Sequence, residues 1–247
     1  MRKLLVVQSN EMTTAIYNLP IVQQRILQLG LSQYGNKPIT KGDDLIVTSQ
    51  EYAELTITEL RNARKSLRTH ATSLLKQDVL FRKYHDGTPM IDRHMRINIF
   101  DRCVYLNDES AVMLKFSASI LPWVSELTEK FTAYWLMDTR GFVSIYGIRL
   151  YQIMMQWLDP KKNRGGKQVM IDEIRTLFDL HDVYPRVSQI KERVLGIALR
   201  DINTLSPFVL TTVLGSSGMA QLPEIKKGKK VVGFQIEFKR RKKETAV

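Results

Sequence analysis

The chain has 247 residues, 44% of them hydrophobic, with a mean hydropathy of −0.19, a formal net charge of +12 and a pI near 9.7. That is enough apolar material for one large domain or two small ones; no apolar run approaches the ~18 residues of a membrane span, and the basic-then-apolar start is too short for a secretory signal, so the chain reads as cytosolic. The single cysteine, Cys103, excludes an intramolecular disulfide and a cysteine-built metal site, and reads as buried filler rather than a reactive thiol.

From the N-terminus, residues 10–31 read as an amphipathic helix, with Ile16, Leu19, Gln23, Ile26, Leu27 and Leu31 at near-helical spacing and Pro20 a break or kink. Asn36-Lys-Pro-Ile is a turn, 45–47 a short strand, and Thr48 or Ser49 caps a short helix over 50–55. Thr58 then caps a long helix ending near 78. On it Leu60, Ala63, Leu67, Ala71, Leu74 and Val79 make an apolar stripe, and Arg61, Lys65, Arg68, Thr72 and Lys76 a second, cationic one. Alternation of period two marks 81–84 and 93–106 as strands, Asn107-Asp-Glu-Ser as a turn and 111–116 as the returning strand. Residues 121–137 read as helix again, opened by Pro122.

The order then repeats. Ser144 caps a helix over 145–158 that Asp159-Pro160 stops, and 161–167 (Lys-Lys-Asn-Arg-Gly-Gly-Lys) is a basic glycine turn. A short helix over 171–178 is followed by a longer one over about 187–204, whose apolar face is Ile190, Val194, Ile197, Ala198 and Ile202. Strands over 208–214 and 231–238 are joined by a long Gly/Lys loop. Helix, short helix, second helix, hairpin is the order of a winged helix-turn-helix, found twice without sequence identity between the halves. The expected fold class is α+β: two tandem winged helix-turn-helix domains over 1–120 and 139–247, joined by a linking helix at 121–138.

The positive charge is clustered. Residues 57–83 hold seven basic side chains against two acidic, and 224–247 hold nine against three, so two stretches carry all but one of the net charges. A solvated face would mix signs; clustering favours a phosphate footprint over an acidic membrane or an acidic protein.

No catalytic constellation stands out. Gly166-Lys167 lacks the upstream glycine of a phosphate loop, and His70, His85, His94 and His181 form no His-x-His or His-Glu-x-x-His pattern, so neither a nicking nuclease nor a zinc hydrolase is supported. Gly215-Ser-Ser-Gly lacks the strand-to-helix context of a nucleophile elbow and reads as wing loop, and Asp43-Asp44 reads as a solvated turn. No cofactor and no metal are expected.

The second long helix carries the more specific signal. Opposite its apolar face lie Gln189, Arg193, Gly196 and Arg200, at spacings that keep them on one side of a regular helix, with Arg186, Ser188 and Lys191 near its N-terminal end, where backbone N–H groups favour a phosphate. Arginine bridges O6 and N7 of guanine and glutamine N6 and N7 of adenine, so this ridge suits base reading, the alternative being an ordinary solvated face. Gly196 would let backbone approach backbone, either DNA's or the protein's own. The stripe Arg61, Lys65, Arg68, Thr72, Lys76 offers less hydrogen-bond variety and suits phosphates. Lys226, Lys227, Lys229 and Lys230, with Lys239, Arg240 and Arg241, would serve as a wing and tail on the DNA backbone.

Three segments, in order, carry a family likeness: Gln8-Ser-Asn-Glu to Leu19 continuing into Gln24-Arg25-Ile26-Leu27; Ser144-Ile-Tyr-Gly-Ile-Arg-Leu-Tyr; and Tyr184-Pro-Arg-Val-Ser-Gln-Ile-Lys-Glu-Arg-Val-Leu, followed by Ala198 and Asp201-Ile-Asn. Along nearly its whole length the chain resembles the initiator proteins of iteron-bearing, theta-replicating plasmids, with Gly147 where that family has alanine and Ile190 where it has an aromatic. The resemblance implies two winged-helix domains bound to opposite ends of one iteron, the C-terminal one as main reader. It further implies a monomer that initiates and a dimer, joined through residues 93–116, that represses its own promoter at an operator inverted repeat or handcuffs origins to control copy number. Host initiator, replicative helicase and chaperones would be the protein partners, in a bacterial cytoplasm. The expected function is a non-enzymatic plasmid replication initiator. The alternative is a transcriptional repressor on the same fold; a strand-nicking relaxase is the remote third.

Overall fold

The computed structural model describes residues 4–15, 19–85, 88–125, 127, 130–215 and 218–242, with backbone alone over 82–95. The chain divides into two units, Met1–Gly141 and Phe142–Val247.

The first unit is built on α2 (Ile21–Ser32), β2 (Leu45–Thr48), α3 (Ser49–Thr56), α4 (Leu60–His70), β5 (Phe100–Leu106) and β6 (Ala111–Phe116). β6 lies between β2 and β5 in an antiparallel sheet, and Leu45, Val47, Leu114 and Phe116 point into a core shared with Ile26, Leu55, Ala63 and Leu67. Thr48 caps α3 reciprocally with Glu51: its hydroxyl accepts from Glu51 N at 3.2 Å, and Glu51 Oε2 accepts from Thr48 N at 3.0 Å. Ile57, in the left-handed region at φ 55°, closes α3 and turns the chain into α4.

Four expectations for this half are corrected. The helix over 10–31 is two helices: α1 (Asn10–Thr14), capped by Ser9 at the end of β1 (Leu5–Ser9), and α2, which starts after Pro20; Ile16 lies outside the described residues. The helix over 58–78 ends at His70 and continues as a 3₁₀ turn, Thr72–Lys76, so Thr72 and Lys76 leave the line of Arg61, Lys65 and Arg68. Glu59, not Thr58, occupies its N-cap position. The alternation over 93–106 is two strands broken at Ile99, β4 (Thr88–Asn98) pairing with β3 (Asp78–His85) as a separate ribbon. Finally, 121–138 is not a linking helix. Only α5 (Leu121–Val124) is helical; β7 (Phe131–Trp135) follows, pairing with β1 from Leu5↔Trp135 to Ser9↔Phe131. Thr132 and Tyr134 are buried while their neighbours are exposed, a period of two that helical counting overlooks. A short 3₁₀ turn, Leu136–Thr139, ends the unit, where the buried Arg25 guanidinium donates to Thr139 Oγ1 and Thr139 O, each at 2.7 Å.

The second unit repeats the plan. α6 (Ile145–Trp157), capped by Ser144 whose hydroxyl accepts from Tyr146 N at 3.1 Å, is followed by the short β8 (Leu158–Asp159), β9 (Arg164–Met170) and α7 (Ile171–Leu177). A continuous helix over 187–205 comes next, then β10 (Phe208–Leu210) and β14 (Lys230–Arg240). β14 lies between β9 and β10, as β6 lies between β2 and β5. The repeat is therefore one of topology, two winged helices of α+β class. The glycine turn over 161–167 is corrected: only 160–163 turn, and Gly165 and Gly166 are mid-strand. They are bare because a Cβ on Gly165 would stand 2.4 Å from Trp157 O, and one on Gly166 2.7 Å from Ile236 O. The strand over 208–214 is likewise two short pieces, β10 and β11 (Val213–Leu214), the latter paired with β12 (Ala220–Gln221); Ser216 and Ser217 lie outside the described residues.

Cys103 on β5 is 5% exposed, and burial pushes its thiol up to about 12. It should therefore resist an aromatic disulfide reagent in the native chain and react fully after unfolding in denaturant; stoichiometric labelling of the folded protein within seconds would contradict this.

Candidate nucleic-acid interface

Helix α4 buries only Ala63 and Leu67 of its residues, leaving Arg61, Asn62, Arg64, Lys65, Arg68 and Thr69 exposed. An 11-residue helix this thinly attached presents most of its circumference outward. Asn62 adds the amide that the charge-only reading of this stripe lacked; the signal was an amide one position from Arg61 on the exposed side.

The helix over 187–205 is not regular. α8 (Val187–Ile190) passes into a π turn, Lys191–Leu195, before α9 (Gly196–Leu205), and the Gly196 N–H donates to Lys191 O. The wider turn lets Val194 and Leu195 both reach the core, alongside Ala198 and Leu199 one turn on. A Cβ on Gly196 would sit 3.0 Å from Lys191 O, so the π turn accounts for this glycine without a ligand. An inserted residue rotates the remainder of a helix by about 100°. Arg200 is therefore offset from Gln189 and Arg193 instead of continuing their line.

Arg193 and Arg200 are exposed, as are Arg186 and Ser188. The Arg193 guanidinium stands 5.9 Å from the centroid of the Tyr184 ring. Burial and the hydrogen bond to Tyr184 push the Tyr146 hydroxyl up to about 12. Gln189 is partly occupied: its Oε1 accepts from Arg186 N at 3.2 Å and caps the helix. Lys191 does not face outward alone; it pairs with Glu224, which also binds Lys226 at 3.0 Å.

The wing is the hairpin of β13 (Glu224–Lys227) and β14, turning at Gly228 with φ +61°. Lys227 and Lys230 face each other in register at its tip and Lys229 sits in the turn, all exposed. Like charges directly opposite one another destabilise a hairpin, so a counter-anion from outside would stabilise this tip. Lys239 and Arg240 are exposed at the far end of β14, with Arg240 5.5 Å from the Phe208 ring centroid. Arg241, itself exposed, donates to Asn203 O and, at 3.2 Å, to Ser206 O, which satisfies the carbonyl end of α9.

Two family models match in tandem: "Initiator Replication protein, WH1" over residues 5–155 and "Initiator Rep protein, WH2" over 170–238. The chain belongs to the initiator replication protein family. The "PI protein" of Escherichia coli is 24% identical over 93% of this chain and 80% of that protein. A "Replication initiation protein" of Escherichia coli is 24% identical over 83% of this chain and 64% of its own length. A solved structure, "Crystal structure of Pi initiator protein in complex with iteron DNA", superposes with a TM-score of 0.79 at 20% identity, covering 98% of this chain and 99% of that one.

Within this family member, two of the three segments that carried the likeness build the scaffold of the second unit. Asp201 accepts from Ser144 N at 2.9 Å, and its side chain fills the space a Cβ on Gly147 would need, 2.6 Å from its Oδ2. Asn203 Oδ1 accepts from Leu210 N at 2.7 Å, tying the helix to the sheet. Sequence reasoning missed Arg175. Its guanidinium donates to the carbonyls of Leu180 at 3.0 Å, Tyr184 at 3.0 Å and Pro185 at 2.9 Å, so one α7 side chain holds the turn into the next helix. An arginine near the end of a short helix before a loop of free carbonyls was the available signal. Among the described residues no helix is long and apolar enough to cross a membrane, and no cluster of three or more His, Cys, Asp or Glu side chains could hold a metal.

Proposed function

We propose that this chain initiates replication of plasmid DNA by binding directly repeated duplex sequences at the origin. The observation that carries the reading is the pairing of two winged-helix units, each presenting an exposed cationic helix, in a chain of the initiator family. The N-terminal portion of the 187–205 helix is the main reader, with Arg193 and Gln189 aimed at base edges; α4 is the secondary contact and the wing lysines grip phosphates. Binding free energy offsets the deformation of the duplex, about 1–6 kcal/mol for bending alone, and an adjacent A·T-rich segment opens. The reading includes host initiator, helicase and chaperones as recruited partners, and a dimer, formed through residues 93–116, that represses its own promoter. No covalent step by this chain is part of it.

Origin firing separates this from a simple repressor. A plasmid carrying only this gene and its upstream repeats should replicate in a suitable host; repression of the promoter without replication would overturn the initiator reading. The Tyr184 ring, by holding Arg193 from below, should matter modestly. Tyr184→Leu is expected to weaken repeat binding roughly two- to fivefold, the worth of an exposed cation–π contact, with the salt dependence unchanged and Tyr184→Phe near wild type. A loss equal in both variants, measured by fluorescence anisotropy, would contradict that role.

A further inference from the structure

The carboxylate of Glu224 sits where the reading helix and the wing meet. It opens β13, its side chain is 13% exposed, and it takes one lysine on each oxygen: Lys191 from the π turn of the helix on Oε1 and Lys226 from the wing on Oε2. Hydrogen bonds from Lys191 and then Lys226 hold its carboxyl below the usual carboxylate range, against the opposing effect of desolvation. The group is therefore an anion at every pH at which DNA would be bound. Electrostatically it resembles a phosphate supplied by the protein itself, already seated on two of the cations nearest the reading helix.

We propose that Glu224 is a specificity-determining residue that withholds Lys191 and Lys226 from DNA phosphates. Resting on the duplex-binding reading above, this makes its effect one of discrimination more than of total affinity. Phosphate contacts are the same on every sequence, so each lysine freed strengthens binding to random duplex as much as to the repeat, whereas a lysine tied to Glu224 adds nothing to the non-specific grip. The same tether fixes the wing strand against the helix, keeping the remaining wing lysines in one register with the reading side chains.

The test is a salt series on the full chain by fluorescence anisotropy, with a duplex of the repeat and a random duplex. Glu224→Gln should steepen the logarithmic salt dependence on random duplex by one to two units and raise affinity there about tenfold per released lysine at 0.1 M salt. The preference for the repeat should fall. Lys226→Gln should change the slope much less than Lys229→Gln does in the wild-type background, and by about one unit once Glu224 is glutamine. An unchanged or shallower slope in Glu224→Gln, or Lys226→Gln losing as much as Lys229→Gln, would overturn the proposal; the lysine comparison decides it even if Glu224→Gln does not fold. Wild-type chain that binds both duplexes equally would sink the duplex-reading function itself, whereas Glu224→Gln matching a selective wild type would sink only this inference.

Discussion

Raising the salt concentration from 50 to 200 mM is expected to weaken binding of this chain to its duplex by about 10³-fold or more. The expectation rests on counterion release: neutralising about six phosphates gives that loss, and about ten would give roughly 10⁵-fold. The structure takes some cations out of the full set. Lys191 and Lys226 are held by Glu224, and Arg241 donates part of its guanidinium to the carbonyl end of α9. The exposed cations outside those contacts include Arg61, Arg64, Lys65 and Arg68 of α4, the arginines of the reading helix, the tip lysines Lys227, Lys229 and Lys230, and Lys239 and Arg240 at the end of β14. A flat response over this range, read from anisotropy titrations, would contradict a phosphate-dominated interface.

Replacing Arg193 should have the largest effect of any single reading residue. Arg193→Ala is expected to cost about 1–3 kcal/mol on the cognate repeat and to flatten the preference at one base pair, because a guanidinium bridging guanine O6 and N7 has no substitute in alanine. Its exposure on the helix and its seat over the Tyr184 ring leave the guanidinium held but uncovered. Lys229→Ala, at the tip of the wing, should behave differently: all sequences weaken alike and the salt slope falls by about one unit. Binding measured across a set of singly substituted duplexes separates the two. Equal profiles for both variants would refute the division between base reading and backbone grip.

Local chemistry explains which parts of this fold were legible in sequence. The caps at Thr48 and Ser144, the turn at 107–110 and the apolar stripe Ala63, Leu67, Ala71, Leu74 are each decided by neighbours a few residues away, and each is present. The ribbon of β1 with β7 is decided by partners at opposite ends of the first unit, so the alternation in Phe131–Trp135 had no visible counterpart. Glycines were ambiguous for related reasons. Gly165 and Gly166 suggested a turn, yet their lack of a Cβ serves close strand packing; Gly196 suggested a close approach to either DNA's backbone or the protein's own, and the structure gives it the second, in a π turn. The candidate interface was legible as a set of cations but not as a set of free cations. Whether a lysine is available depends on an acidic side chain brought beside it by folding, as Glu224 is to Lys191, 33 residues apart in sequence.

The most direct test is competition between two duplexes for the purified chain at 150 mM salt: the direct repeats expected upstream of its gene, and a shuffled sequence of identical length and composition. A sequence-reading pair of winged helices should prefer the repeats by about 10³-fold or more. Indistinguishable affinities would mean that the exposed helices grip DNA only by its charge, and the account of Arg193 and Gln189 as readers would be wrong.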